Sequence, residues 1–155
     1  MQFNNEVDKR VFELITGIHL YSERLLQHKL KPLNMTAPQF RTITVLCQKE
    51  NITQREFAEA IEADTTTAMV LCNSLEKKGW LKRVPDPNDK RANRLFLTDS
   101  GKHAFSQALP IIQTIYDKHA LRGISADELN AAVPALEKLY QNIRTAYTAE
   151  KDKRD

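Results

Sequence analysis

The stretch Leu81-Lys-Arg-Val-Pro-Asp-Pro-Asn-Asp-Lys-Arg-Ala-Asn-Arg-Leu-Phe-Leu-Thr98 decides the fold. Arg83 and Val84 end one short apolar strand, and Leu95, Phe96 and Leu97 begin a second, closed by Thr98. Between them lie Pro85, Asp86, Pro87, Asn88 and Asp89, all turn formers. Proline pre-sets φ, and Asp or Asn side chains bond their own backbone. The tip carries Lys90, Arg91 and Arg94. The pattern predicts a cationic β-hairpin.

Charge is concentrated around that hairpin. From Glu76 to Arg94 there are seven Lys/Arg against three acids, a net of +4, whereas the whole chain of 155 residues carries only +3. The rest of the chain is therefore slightly acidic. A local excess of this kind is the footprint of a polyanion partner. The length suits one domain with a real core, and 41% hydrophobic residues exclude a mainly disordered chain. Two cysteines, Cys47 and Cys72, have no paired spacing, which excludes a disulfide scaffold or a cysteine zinc site. No secretory segment or membrane-length apolar run is present, so a reduced, cytoplasmic protein with no membrane partner is expected.

Helical patterns dominate outside the hairpin. Val7, Val11, Leu14, Ile15, Ile18 and Leu25 recur at helical spacing, predicting a first helix over 5–31 that Pro32 ends. Thr36-Ala-Pro-Gln39 and Thr53-Gln-Arg-Glu56 are capping boxes, opening a second helix with Phe40, Ile43 and Cys47 inward and a third with Phe57, Ala58 and Ile61. Asp64 caps a fourth helix over 65–78, whose Ala68, Leu71, Cys72 and Leu75 face the core. Gly79 suits a left-handed cap beyond it. Thr98 or Asp99 opens a fifth helix to about Leu121, bent near Pro110. Gly123 breaks it, and Ser125-Ala-Asp-Glu128 caps a sixth to about Thr148, with a kink at Pro134.

Two short helices joined by a tight turn and followed by a basic hairpin make a winged helix–turn–helix. The fourth helix then enters the major groove, where base edges present a readable code. Thr65, Thr66 and Thr67 at its start and Asn73 further along are candidate base or phosphate contacts, with Asn73 able to pair with adenine. Lys77 is a candidate phosphate contact, as is Arg55 on the third helix, which crosses the backbone. Arg91 at the wing tip suits insertion into a narrow minor groove, and Asp89 is placed to hold its guanidinium; Lys90 and Arg94 complete the set.

From Thr36 to Gly101 the chain resembles the multiple-antibiotic-resistance regulator (MarR) family. The resemblance rests on Leu75-Glu-Lys-Lys-Gly79-Trp-Leu-Lys-Arg83, Asp86-Pro-Asn-Asp89-Lys-Arg91 and Leu97-Thr98-Asp-Ser-Gly101 in that order. It implies a mainly α chain: a winged helix–turn–helix over 36–98, and a helical dimerisation part from both termini, 5–33 and 99–148. It implies a homodimer, a repressor of a nearby operon that releases a pseudo-palindromic operator when a small aromatic or phenolic effector binds. The family's wing arginine maps to Arg91 and its acidic partner to Asp89. Many family members carry an arginine mid-way along the recognition helix. Here Met69 and Val70 stand there, so readout is expected to shift to Thr66, Thr67 and Asn73 or to DNA shape.

The same resemblance places an effector pocket among the first, second and fifth helices, with His19, Tyr21, Phe40, Arg41 and Tyr116 as candidate lining. An arginine there could pair with a carboxylate. The four histidines are widely spaced and predict no metal site, and no cofactor is expected. Nothing resembles a phosphate loop, a nucleophile elbow or a paired-carboxylate site, so an enzyme is not expected. The competing readings are a winged-helix protein-interaction module and a metal- or redox-responsive regulator.

Overall fold

Asn5 opens helix α1 (Glu6–Leu30) by accepting the Asp8 N–H at 2.8 Å in the computed structural model, which describes residues 5–89 and 91–151. Two compact units result, one ending at Ile115 and the other beginning at Tyr116.

In the first unit a single 3₁₀ turn, Lys31–Leu33, stops α1, with Asn34 left-handed at φ 50°. Both capping boxes form as the sequence predicts. Thr36 and Gln39 exchange side-chain and backbone bonds at the start of α2 (Ala37–Gln48), and Thr53 and Glu56 do so at α3 (Gln54–Ala60). Asp64 caps α4 (Thr65–Lys77) through the Thr67 N–H at 2.7 Å. Gly79 follows at φ 70°, where a side chain would be strained.

The hairpin strands are β2 (Leu81–Pro85) and β3 (Asn93–Leu97), antiparallel with Leu81 opposite Leu97 and Pro85 opposite Asn93. A third strand, absent from the sequence reading, is β1 (Ile52–Thr53), which pairs with β3 in the order β1-β3-β2. Two residues are too few to carry an alternating pattern, so only tertiary pairing reveals it. Pro85 lies on the edge strand, where its missing N–H costs no ladder bond.

The core draws on every element of this unit. Leu30, Met35, Ile43, Leu46, Phe57, Leu75 and Leu95 are essentially fully buried, each contributing roughly 1.5–3 kcal/mol of hydrophobic stabilisation. Ala68, Cys72 and Leu75 turn inward from α4 as expected, and Leu71 is half-buried. One polar residue ties the core together. Buried Gln39 accepts the Thr36 N–H through Oε1 and donates to Ser74 Oγ at 2.6 Å, linking the start of α2 to α4.

Helix α5 (Asp99–Ile115) begins under Thr98, whose Oγ1 accepts the Gly101 N–H at 3.1 Å and donates to the Gly79 carbonyl at 2.6 Å. Pro110 lies within it. In the second unit the expected continuation to Leu121 is instead a π-helical turn, Tyr116–Ala120. Gly123 stands at φ 78°, and the Ser125–Glu128 box opens α6 (Ala126–Lys151), which runs through Pro134. Among the described residues, no helix is long and apolar enough to cross a membrane.

Candidate nucleic-acid interface

The recognition helix α4 turns Ala68, Cys72 and Leu75 to the core, and by helical periodicity its opposite face is Thr66, Met69, Val70, Asn73 and Lys77. All five are exposed, with Met69 and Val70 at 44% and 59%. Two apolar side chains standing in water on a helix that buries its other face are suited to contact with thymine methyl groups.

The three threonines differ. Thr65 and Thr66 are exposed on the first turn. The Thr67 hydroxyl instead donates to Asp64 Oδ2 at 3.0 Å. The two bonds from Thr67, its N–H foremost, hold the Asp64 carboxyl below the usual range. Arg55 on α3 pairs with Glu59 at 3.1 Å, both largely exposed, so the pair contributes little to stability and leaves the arginine available.

Of the seven cations around the hairpin, several are committed internally. Arg94 Nε donates to Asp86 Oδ2 at 2.7 Å and its Nη1 to the Asn51 carbonyl at 2.9 Å. Arg83 donates through Nη1 to Glu76 and through Nη2 to Asn73 Oδ1 at 2.7 Å. The Lys78 ammonium lies 4.5 Å from the Trp80 ring centroid and donates to the Asn34 carbonyl. Lys77, Lys82 and Arg91 remain exposed, and Lys90 lies outside the described residues. Arg94, a candidate DNA contact in the sequence, also serves as a strut of the wing, bonded to Asp86 and to the Asn51 carbonyl.

The carboxylate that braces the wing is Asp86, only 5% exposed. It accepts the Asn88 N–H at 2.8 Å, the Asp89 N–H at 3.3 Å and Arg94 Nε. The Asn88 N–H, supported by Arg94, holds its carboxyl below the ordinary carboxylate range. Asp89 Oδ1 accepts the Arg91 main-chain N–H at 2.9 Å. Among the described residues no ion pair joins the Asp89 and Arg91 side chains. The expectation that Asp89 grips the guanidinium is corrected accordingly: a side chain two residues earlier reaches the N–H of a turn more readily than the end of a long side chain. Asp89 shapes the turn, and the Arg91 side chain stands exposed at the tip.

The candidate effector residues do not converge as expected. Phe40 is buried and stacks on Phe105, with centroids 5.8 Å apart. Arg41 pairs with Glu23 of α1. Both line a cavity of about 640 Å³ with Thr44, Val45, Thr67 and Leu71, set among α2, the α3–α4 turn and α4. His19 and Tyr21 are exposed on α1 outside this lining, Tyr21 lying under Arg24. Tyr116 belongs to the second unit and is also exposed. Sequence reasoning missed Arg83, Glu76 and Asp86 as organisers. Their partners lie seven to ten positions away across a strand or a turn, which no local pattern encodes.

Residues 33–92 match the model of the MarR family. The chain is 29% identical to the multiple antibiotic resistance protein MarR of Escherichia coli, over 75% of this chain and 81% of that one. It is 27% identical to the HTH-type transcriptional regulator YybA of Bacillus subtilis, over 82% and 85%. The crystal structure of a mutant MarR from E. coli complexed with operator DNA superposes with a TM-score of 0.79 at 27% identity, covering 90% of this chain and 99% of that one. The transcriptional regulator SlyA superposes at 0.80 and 25% identity, over 89% and 96%. These relatives are regulators rather than enzymes, and over residues 33–92 the chain matches the MarR family of winged helix–turn–helix transcription regulators.

Proposed function

We infer that the protein is a homodimeric repressor that binds a pseudo-palindromic operator and leaves it when a small aromatic or phenolic ligand binds. The observation that carries this reading is the outward face of α4 beside an exposed Arg91, the latter on a hairpin braced by buried Asp86. A rigid frame with its cations and apolar contacts turned outward suits a groove and the adjacent backbone. In this reading Thr65, Thr66, Asn73, Lys77 and Arg55 meet the major groove and its phosphates, and Arg91 with Lys90 the minor groove.

The dimer rests on two exposed apolar rows. Val7, Val11, Leu14, Ile18 and Tyr21 follow one another along α1 at alternating four- and three-residue steps, and Val133, Leu136, Tyr140, Ile143 and Tyr147 do so along α6. Such steps are the seam of helices that pair with other helices. The effector reading rests on the 640 Å³ cavity, which falls within the range of small-molecule sites and has one cation, Arg41, at its wall. Because Thr67 and Leu71 of α4 also line it, an occupant would bear directly on the recognition helix.

A mobility shift with the gene's own upstream DNA tests the first part, with retardation expected and a protein that binds no duplex refuting it. Sedimentation should give twice the monomer mass. Benzoate-class ligands should raise the melting temperature of the wild type and release DNA, and Arg41→Ala should abolish both effects.

A further inference from the structure

Asn73 stands on the outward face of α4, and its carboxamide has a fixed sense. Arg83 is a donor only, so the oxygen of Asn73 must be the atom 2.7 Å from its Nη2. The amide NH₂ is thereby left as the group free to meet a partner. Arg83 is itself held from its other side by Glu76. Its side chain is only 18% exposed, against 42% for Glu76. It is on β2, so the wing strand sets the chemistry that the recognition helix shows.

We propose that Arg83 is a specificity-determining positioning residue: by binding the Asn73 oxygen it fixes the sense of the carboxamide and leaves its NH₂ as the group offered to a base, which favours guanine over adenine at the base it faces. This rests on the DNA-binding reading above. Adenine offers N7 as an acceptor and its N6 amino group as a donor, so a bidentate asparagine contact needs the amide oxygen as well as the nitrogen. Here that oxygen already accepts from Arg83, so pairing with adenine would need it to take a second donor in the geometry Arg83 imposes. Guanine offers two acceptors, O6 and N7, side by side, which an NH₂ group can serve alone. The asparagine–adenine pairing that the sequence allows is thereby disfavoured. The neighbours on this face are consistent with the assignment: Val70 carries no hydrogen-bonding side-chain group, the Met69 thioether is only a weak acceptor, and Lys77, one turn on, is a donor that also suits guanine acceptors.

The experiment is selection of bound duplexes from a randomised operator library, read by sequencing and followed by titration of single-base variants. Wild-type protein should prefer guanine at one symmetric pair of positions, and Asn73→Ala should lose that preference while still binding. Arg83→Met frees the oxygen and should shift the preference toward adenine, by about tenfold in the guanine-to-adenine ratio. Combined with Asn73→Ala it should have no further effect on that ratio. Arg83→Lys, which retains a donor, should keep guanine. Asn73→Asp keeps a partner for Arg83 and needs no refolding of the wing. Its second oxygen faces the groove as an acceptor, so guanine should be disfavoured and cytosine or adenine favoured. An unchanged guanine preference in Arg83→Met or in Asn73→Asp overturns the proposal. So does a wild type that prefers adenine at the Asn73-dependent position. Retained binding in each variant separates these results from failure of the DNA-binding reading itself, in which no duplex is retained and both fall.

Discussion

The Asp86 carboxylate and the Arg94 guanidinium, 2.7 Å apart, join the turn of the wing to strand β3, and the same arginine reaches on to the Asn51 carbonyl before β1. Arg94 thus ties the wing turn and β3 to the residue that precedes β1. Because Asp86 is almost wholly buried, removing either partner leaves a polar group without its bond.

Asp86→Asn is expected to lower the melting temperature by roughly 4–8 °C and to loosen the wing. The effect should depend on pH. Its folded carboxyl lies below the ordinary range, so its stabilising contribution is complete above about pH 4 and is lost as pH falls through the lowered value. Urea unfolding of both proteins across the acid range should show the difference at neutral pH shrinking as the medium is acidified. A difference independent of pH would show that the ionised carboxylate is not the cause.

Arg91→Ala should weaken operator binding by about tenfold and reduce the salt dependence of binding by about one counterion per protomer, with no change in melting temperature. The side chain is exposed, and the bond of its main-chain N–H to Asp89 is one that alanine keeps. Titrations at several salt concentrations check it, and a slope equal to that of the wild type would remove this arginine from the phosphate or minor-groove contact.

Gly101→Ala should destabilise the fold by roughly 1–3 kcal/mol. A Cβ there would stand 2.1 Å from the Trp80 carbonyl oxygen, a backbone atom held by the Thr98 N–H at 3.0 Å. Neither side can give way without moving the junction between β3 and α5. Chemical denaturation measures the loss, and a neutral result would mean that the junction is softer than its bonds imply.

Cys72 should resist alkylation and peroxide in the native protein and react promptly once unfolded. It is fully buried, and burial pushes its thiol up to about 11, which keeps the reactive thiolate scarce at neutral pH. Cys47 is half-buried and also raised, again by burial first. Mass spectrometry of iodoacetamide-treated native protein checks both. Rapid modification of Cys72, with loss of DNA binding, would revive the redox-responsive reading.

What the sequence by itself determined is what neighbouring residues decide between them. The capping boxes at Thr36, Thr53 and Ser125, the Asp64 cap, the left-handed Gly79, the break at Gly123 and the inward stripe of α4 are all contests within one or two turns of chain, and they appear where the pattern places them. The wing was legible for the same reason: its turn residues and its two apolar strands lie within 18 positions. Tertiary structure alone decided which charges are spent and which are offered. Arg83 and Arg94 read as two more cations in a basic stretch, yet each is bound to partners across the fold, at Glu76 and Asn73 and at Asp86 and Asn51. A hydrogen bond depends on distance in space, and the pairing of β1 with β3, 43 positions apart at Ile52 and Leu95, sets those distances. The same holds for the cavity, whose walls come from α2 and α4 and whose candidates His19 and Tyr21 proved to lie elsewhere. Local chemistry chose the elements, and long-range packing chose which of their side chains remain free to meet a partner.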